Sequence, residues 1–145
     1  MKKLAIMMWV IATASMAAAQ SPANPEADPY PGVDYNQKYR PQFHFTSKRN
    51  WHNDPNGLVY YDGEYHLFVL HNPSGINCAN TGSAHAISKD MVHWKQVQHA
   101  ILPHDGGDIW SGSGTVDWKN STGFGKAGKD AHKPIVLCYS HARKP

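Results

Sequence analysis

The chain has 145 residues, a length that suits one small domain. Its 14 Lys and Arg residues outnumber its 11 Asp and Glu residues, which gives a formal net charge of +3. The positive residues are scattered and form no basic stripe, so the composition argues against a nucleic-acid partner.

The first 19 residues have the pattern of a secretory signal peptide. Residues 1–3 are basic at two positions, residues 4–14 are apolar but too short to span a bilayer, and Ala17-Ala18-Ala19 is a cleavage site. No later run is long and apolar enough to cross a membrane. The pattern therefore predicts a secreted or periplasmic protein with no membrane attachment after cleavage.

Residues 20–39 contain four prolines with small and polar neighbours. This composition predicts a linker or extended arm that has little to bury. We expect the folded part to begin near residue 40 and to continue to residue 145.

From residue 40 onwards the pattern predicts an all-β structure. The strongest signal is a hairpin in which two strand-like runs are joined by Asp62-Gly63. Including this hairpin, the strands are predicted at residues 58–61, 64–70, 83–88, 91–97, 110–118 and 134–141. Such short strands, separated by turn signals, are typical of a sandwich, a barrel or a propeller.

The strands between residues 57 and 97 have the size of one propeller blade. One blade and part of a second would leave open sheet edges and half-covered faces. We therefore expect this sequence to be the front part of a longer protein.

The aromatic and histidine content indicates the kind of ligand. Five Trp, seven Tyr and ten His residues are many for this length. Aromatic faces with hydrogen-bonding groups between them suit a sugar, which has apolar C–H faces and polar edges. For any single ring, packing in a β-sheet core is the alternative interpretation.

One acidic residue stands at the entrance to the predicted hairpin. Asp54 lies within Trp51-His52-Asn53-Asp54-Pro55-Asn56-Gly57. A carboxylate held in such a turn is a candidate catalytic group, because backbone N–H groups of the turn can keep it ionised. The alternative is that Asp54 only caps the turn, as Asp commonly does.

Four motifs occur in a characteristic order. They are the segment around Asp54, then His71-Asn72-Pro73, then His85-Ala86-Ile87-Ser88-Lys89-Asp90 with His93-Trp94, and finally Trp110-Ser111-Gly112-Ser113 with Val116-Asp117. Over residues 40–140 this series resembles the N-terminal part of glycoside hydrolase family 32, the invertases, levanases and inulinases. The resemblance implies the first one to two blades of a five-bladed β-propeller, incomplete in this chain.

The resemblance also implies roles for individual residues. Asp54 would be the catalytic nucleophile of a retaining glycosidase, which needs a second carboxyl group about 5–5.5 Å away as the proton donor. The substrate-binding residues implied around the fructosyl unit are Trp51, Asn53, Leu70, Trp110 and Ser111. The substrate would be a fructan, such as levan or inulin, or sucrose.

The chain departs from the family pattern at two places. The family hairpin usually ends in Phe-Tyr-Gln, whereas here it ends in Phe68-Val69-Leu70, so that Leu70 replaces a polar sugar contact. The family also usually has Trp-Gly where this chain has Ser83-Ala84. Losses of this kind weaken sugar binding by about 1 kcal/mol or more each.

The family's Arg-Asp-Pro and Glu-Cys segments, which carry the transition-state stabiliser and the acid/base, are not in these 145 residues. We therefore expect the 145-residue chain alone to be inactive. Two alternatives to a hydrolase remain at this stage. They are a non-catalytic sugar-binding remnant of the family and a transfructosylating enzyme.

No cofactor is predicted, and the histidine spacing fits no standard zinc site, so no metal is predicted. Cys78 and Cys138 could pair in a secreted protein, but Cys138 lies in an apolar run and is more simply a small buried residue. The sequence leaves open the substrate linkage, exo or endo action and the oligomeric state.

Overall fold

A computed structural model describes residues 24–126, 128 and 132–143. This part of the chain contains six β-strands and no helix. The strands are β1 (His52–Tyr61), β2 (Glu64–His71), β3 (Gly82–Ser88), β4 (Lys95–Ile101), β5 (Gly107–Val116) and β6 (Ile135–Arg143). The all-β prediction is confirmed, while the predicted signal peptide, residues 1–19, lies outside the described residues.

The first four strands form an antiparallel sheet in the order β1-β2-β3-β4. The turn between β1 and β2 is the predicted one, with positive φ angles at Asp62 (52°) and Gly63 (82°). Two positive φ angles define the turn whose twist matches that of the flanking strands. This sheet has the strand number and the simple up-and-down order expected of a propeller blade.

The segment around Asp54 belongs to a strand and not to a turn. β1 begins at His52, six residues before the predicted start, and its pairing with β2 is irregular between His52 and Pro55 and again between Asn56 and Val59. Proline cannot donate to a strand ladder, so Pro55 fits where the ladder is irregular. Asp54 therefore projects from a bulged strand.

The fourth strand begins at Lys95, later than the predicted residue 91. The carboxylate of Asp90 accepts hydrogen bonds from the backbone N–H groups of Val92 (2.9 Å) and His93 (2.8 Å). Met91 has a positive φ of 62°. This local turn forms in place of the first residues of the predicted strand, because an Asp side chain can accept hydrogen bonds from backbone N–H groups a few residues ahead of it.

The last two strands pair as a separate antiparallel sheet, whose register is irregular between Trp110 and Gly112. β5 packs against β1 of the first sheet. The buried apolar side chains of both sheets are Val59, Phe68, Val69, Leu70, Ala84, Ala86, Val97, Ile109 and Val116.

The N-terminal segment packs on the first sheet. The ring of Tyr30 lies 6.0 Å from that of His71 and 6.4 Å from that of His99. The backbone N–H of Gln98, on β4, donates to the carbonyl of Pro25 (3.2 Å). Within this N-terminal segment, residues 24–39, Tyr30 is half-buried, and the bond from Gln98 covers part of the edge strand β4.

Candidate active site

The side chains of Asp54 and Ser111 meet where the two sheets pack together. The Ser111 hydroxyl donates to Oδ2 of Asp54 over 2.9 Å, and the two residues are 57 positions apart in the chain. Both side chains are exposed. The sequence predicted backbone N–H donors for this carboxylate, whereas the recorded donor is a hydroxyl on the neighbouring sheet.

Glycine residues allow β1 and β5 to approach each other closely at this point. Gly57 has a φ of +53°, and a Cβ atom there would lie 2.8 Å from the backbone nitrogen of Gly114. A Cβ atom on Gly114 would in turn lie 3.3 Å from the carbonyl oxygen of Gly57. The contact between Asp54 and Ser111 depends on this approach, because it brings the two backbones within side-chain reach.

A narrow cleft of about 20 Å³ lies beside the pair, with Leu70, Ser83 and Trp110 in its wall. This volume holds roughly one water molecule. Beside the cleft, Asp54 is exposed and Trp110 is 52% exposed.

The two positions that depart from the family pattern are direct neighbours. Leu70 and Ser83 are Cα partners across the β2–β3 ladder. Leu70 is only 6% exposed, so it packs inside the cleft wall and does not face solvent. That these two positions share one patch could not be predicted from the sequence, because they lie on different strands.

Trp51 and Asn53 lie beside Asp54 in sequence but are not bonded to its carboxylate. The backbone of Trp51 is tied to the loop after β2, through the carbonyl of Gly75 and the N–H of Asn72 (3.0 Å each). Asn53 is exposed. Within the described residues, no hydrogen bond joins the side chain of either residue to Asp54.

One polar residue at the site was not predicted. The side-chain amide of Asn56 donates to the carbonyl of Asp54 (2.9 Å) and accepts from the N–H of Gly112 (3.3 Å). In the sequence Asn56 reads as part of an Asn-Gly turn. Its position two residues after Asp54 was the available signal, but its partner on β5 could not be read locally.

The histidines His71, His85 and His99 contact groups other than Asp54. Nδ1 of His71 is 2.9 Å from Nε2 of His99, and the ring of His85 stacks on Phe68. Burial lowers the pKa of His85 and of His99 to about 4, so these imidazoles are neutral at ordinary pH.

The part of the chain that the structure describes has no group of three or more His, Cys, Asp or Glu side chains arranged to hold a metal ion. It also has no helix long and apolar enough to cross a membrane. Cys78 and Cys138 are both free and exposed, so the expectation that Cys138 is buried is wrong.

Comparison with known sequences finds one matching family. The family model described as "Glycosyl hydrolases family 32 N-terminal domain" matches residues 44–144. A levanase of Bacillus subtilis (strain 168) is 42% identical over 99% of this chain and 20% of its own length. An extracellular exo-inulinase of Aspergillus awamori is 46% identical over 74% of this chain and 20% of its own length.

Comparison with solved structures gives the same result. A crystal structure of exo-inulinase from Aspergillus awamori has a TM-score of 0.64 and 44% identity, covering 72% of this chain and 20% of the other. A variant of fructan 1-exohydrolase IIa from Cichorium intybus, in complex with 1-kestose, has a TM-score of 0.50 and 29% identity. The match covers 70% of this chain and 20% of the other. The chain thus spans about one fifth of the length of these relatives.

Proposed function

This chain belongs to glycosyl hydrolase family 32, and we propose that the protein hydrolyses fructosyl bonds in fructans or sucrose. The family's N-terminal domain is a five-bladed β-propeller, of which this chain covers a part. The observation that carries the proposal is the exposed carboxylate of Asp54, hydrogen-bonded to Ser111 at the junction of two sheets.

Asp54 is the nucleophile in this proposal. Its carboxylate attacks the anomeric carbon of the fructosyl unit while a second carboxyl group protonates the leaving oxygen. Water then releases fructose with retention of configuration. The proton donor belongs to the family's Glu-Cys segment, which these 145 residues do not contain, so no proton-transfer step is assigned to a residue of this chain.

The residues around Asp54 suit a fructosyl unit. Trp110 exposes half of its surface beside the cleft and offers an apolar face for the C–H groups of the sugar. Asn53 is exposed next to Asp54 and can both donate and accept hydrogen bonds with hydroxyl groups. Trp51 is half-buried, with its backbone bonded to the loop after β2, and Ser111 adds a hydroxyl.

The relatives support export of the protein. One of them is named an extracellular exo-inulinase. We propose that residues 1–19 direct secretion and are removed. N-terminal sequencing of the secreted protein should find a terminus at Gln20.

Substitution of Asp54 tests the catalytic proposal. In the protein at its full natural length, Asp54→Asn removes the nucleophile and leaves the shape nearly unchanged, so we expect fructose release to fall by more than about 10³-fold. Asp62→Asn is the matched control, because Asp62 lies in an exposed turn and Asn tolerates its positive φ. Fructose release near the wild-type rate by Asp54→Asn would show that the assignment is wrong.

A second function, sugar binding without hydrolysis, is favoured by one observation. Leu70 and Ser83 together replace a polar contact and an aromatic residue of the family pattern in a single patch of the cleft wall. Calorimetric titration of the wild-type protein with levan and inulin, followed by assay of released fructose, separates the two functions. Binding with no released fructose would favour the binding protein.

A further inference from the structure

The strands that carry Asp54 and Ser111 are both irregular at the same place. β1 departs from regular pairing on both sides of the Pro55-Asn56 pair. β5 departs from regular pairing between Trp110 and Gly112, which brackets Ser111. Irregular pairing releases backbone groups from the ladder and re-aims side chains. The alignment of β1 with β5 must therefore come from contacts outside the two strand ladders.

Asn56 supplies such a contact through both ends of its amide. Its Nδ2 donates to the carbonyl oxygen of Asp54 on its own strand (2.9 Å). Its Oδ1 accepts from the N–H of Gly112 on β5 (3.3 Å). Because Gly112 directly follows Ser111, the Asn56 side chain connects the backbone at Asp54 to the backbone next to Ser111.

These bonds and the Asp54–Ser111 bond form a closed ring. The ring runs from the Asp54 carboxylate to the Ser111 hydroxyl, along the backbone to Gly112, across to Asn56 and back to the Asp54 carbonyl. In a closed ring, each hydrogen bond restricts the geometry of the others. The position of Ser111 relative to Asp54 then depends on Asn56.

We propose that Asn56 is a positioning residue that holds the Asp54 carboxylate against the Ser111 hydroxyl. This inference rests on the proposed function, in which that carboxylate is the nucleophile. Asn56 acts through the two backbones and touches no reacting atom. Loss of its amide lets β1 and β5 shift relative to each other, and displacements of about 1 Å at a reacting group cost roughly 10²-fold in rate.

A double-mutant cycle in the protein at its full natural length tests this role. We expect Asn56→Ala to lower kcat by about 10–100-fold with less than about a twofold change in KM. In a Ser111→Ala background the same substitution should lower kcat by less than about threefold, because the contact that it positions is already gone. Rates are compared per folded enzyme, with circular dichroism to measure the folded fraction.

Asn120→Ala is the matched control. Asn120 also uses both ends of its amide, donating to the carbonyl of Gly125 (3.1 Å) and accepting from its N–H (2.7 Å), but in the connection between β5 and β6. A general loss of stability would appear in both alanine variants. Only Asn56→Ala should change kcat in a manner that depends on Ser111.

The proposal would be overturned if Asn56→Ala lowered kcat by the same factor in the wild-type and Ser111→Ala backgrounds. It would also be overturned if Asn56→Ala changed only the melting temperature. A crystal structure of Asn56→Ala adds a readout that needs no activity, since we expect the Ser111 Oγ to Asp54 Oδ2 distance to exceed 3.5 Å. An unchanged distance there would also overturn it. High activity of Asp54→Asn would instead remove the proposed function, and the crystal structure would still decide the role of Asn56.

Discussion

Among single residues, the buried pair of His71 and His99 links the packing of the first sheet to pH. Nε2 of His71 lies 3.1 Å from the carbonyl oxygen of Arg49, which can only accept a hydrogen bond. His71 therefore carries its proton on Nε2, and its Nδ1 accepts from Nε2 of His99. This arrangement needs a neutral His71, burial favours the neutral form of both rings, and the ring of Tyr30 packs against them.

Acidification should weaken the fold through this pair. Burial lowers the pKa of both imidazoles, that of His99 to about 4, whereas a histidine in the unfolded chain titrates near 6.5. The unfolded chain then binds more protons between these values. The stability from the neutral pair is present above pH 6.5 and is lost as the pH falls towards 4.

Replacing His99 tests this pH dependence. His99→Gln keeps a donor for Nδ1 of His71 but cannot titrate, so between pH 7 and pH 5 this variant should lose about 2 kcal/mol less stability than the wild type. The free energy of unfolding is measured by denaturant titration at both pH values. His44→Gln, at an exposed position, is the control. An unchanged loss in His99→Gln would contradict the role of the pair.

At the scale of strands, the sequence predicts well where the determining contacts are local. The Asp62-Gly63 turn needs only two residues with positive φ, and the structure has it as predicted. β4 was predicted too early, because the bonds from Asp90 to the next backbone groups hold residues 91–93 in a turn. A strand pattern in the side chains did not reveal this competition.

The candidate site was predictable only in part. Asp54 and Ser111 could be named from motifs, but their contact spans 57 positions and depends on how two sheets pack. The role of Asn56 could not be predicted for the same reason, since its acceptor bond goes to Gly112 on another sheet. Leu70 was predicted to line the site, and its nearly complete burial became visible only with the fold.

Two glycines, Gly63 in the β1–β2 turn and Gly112 in β5, should respond differently to substitution by alanine. Gly63 has a φ of +82° and open space around it, so Gly63→Ala should cost about 1 kcal/mol, from backbone strain alone. A Cβ atom on Gly112 would lie 1.9 Å from the carbonyl oxygen of Cys138. Gly112→Ala must therefore displace β5, at a cost of about 3 kcal/mol.

The same displacement moves Ser111, so Gly112→Ala should also reduce fructose release, whereas Gly63→Ala should not. Denaturant titration and steady-state assays of both variants measure the two effects. A larger loss of stability in Gly63→Ala than in Gly112→Ala would contradict this account of how closely β5 approaches β6 at Gly112.

At the scale of the whole described structure, the two sheets differ in how well they are covered. The four-stranded sheet has β5 on one side, and the N-terminal segment packs on it through Tyr30. Lys48 N–H also donates to the side chain of Gln96 on β4 (2.8 Å). The two-stranded sheet leaves Trp110 52% and Tyr139 40% exposed. Two strands alone are marginally stable in water, so the sheets should differ in local stability.

Hydrogen exchange of the 145-residue polypeptide measures this difference. The amides of β2 and β3 are central in the larger sheet and should exchange at least about tenfold more slowly than those of β5 and β6. Gln98 provides an internal control. Its N–H lies on the edge strand β4 but donates to Pro25, so it should be protected in the wild type.

Substitution of Tyr30 then tests whether the N-terminal segment causes that protection. Tyr30→Ala removes the ring packed on His71 and His99, so exchange at Gln98 should accelerate while β2 and β3 change little. Equal exchange across both sheets would contradict the predicted difference in stability. Unchanged protection of Gln98 in Tyr30→Ala would show that the segment is held by its other contacts, such as the ion pair of Lys48 with Asp28.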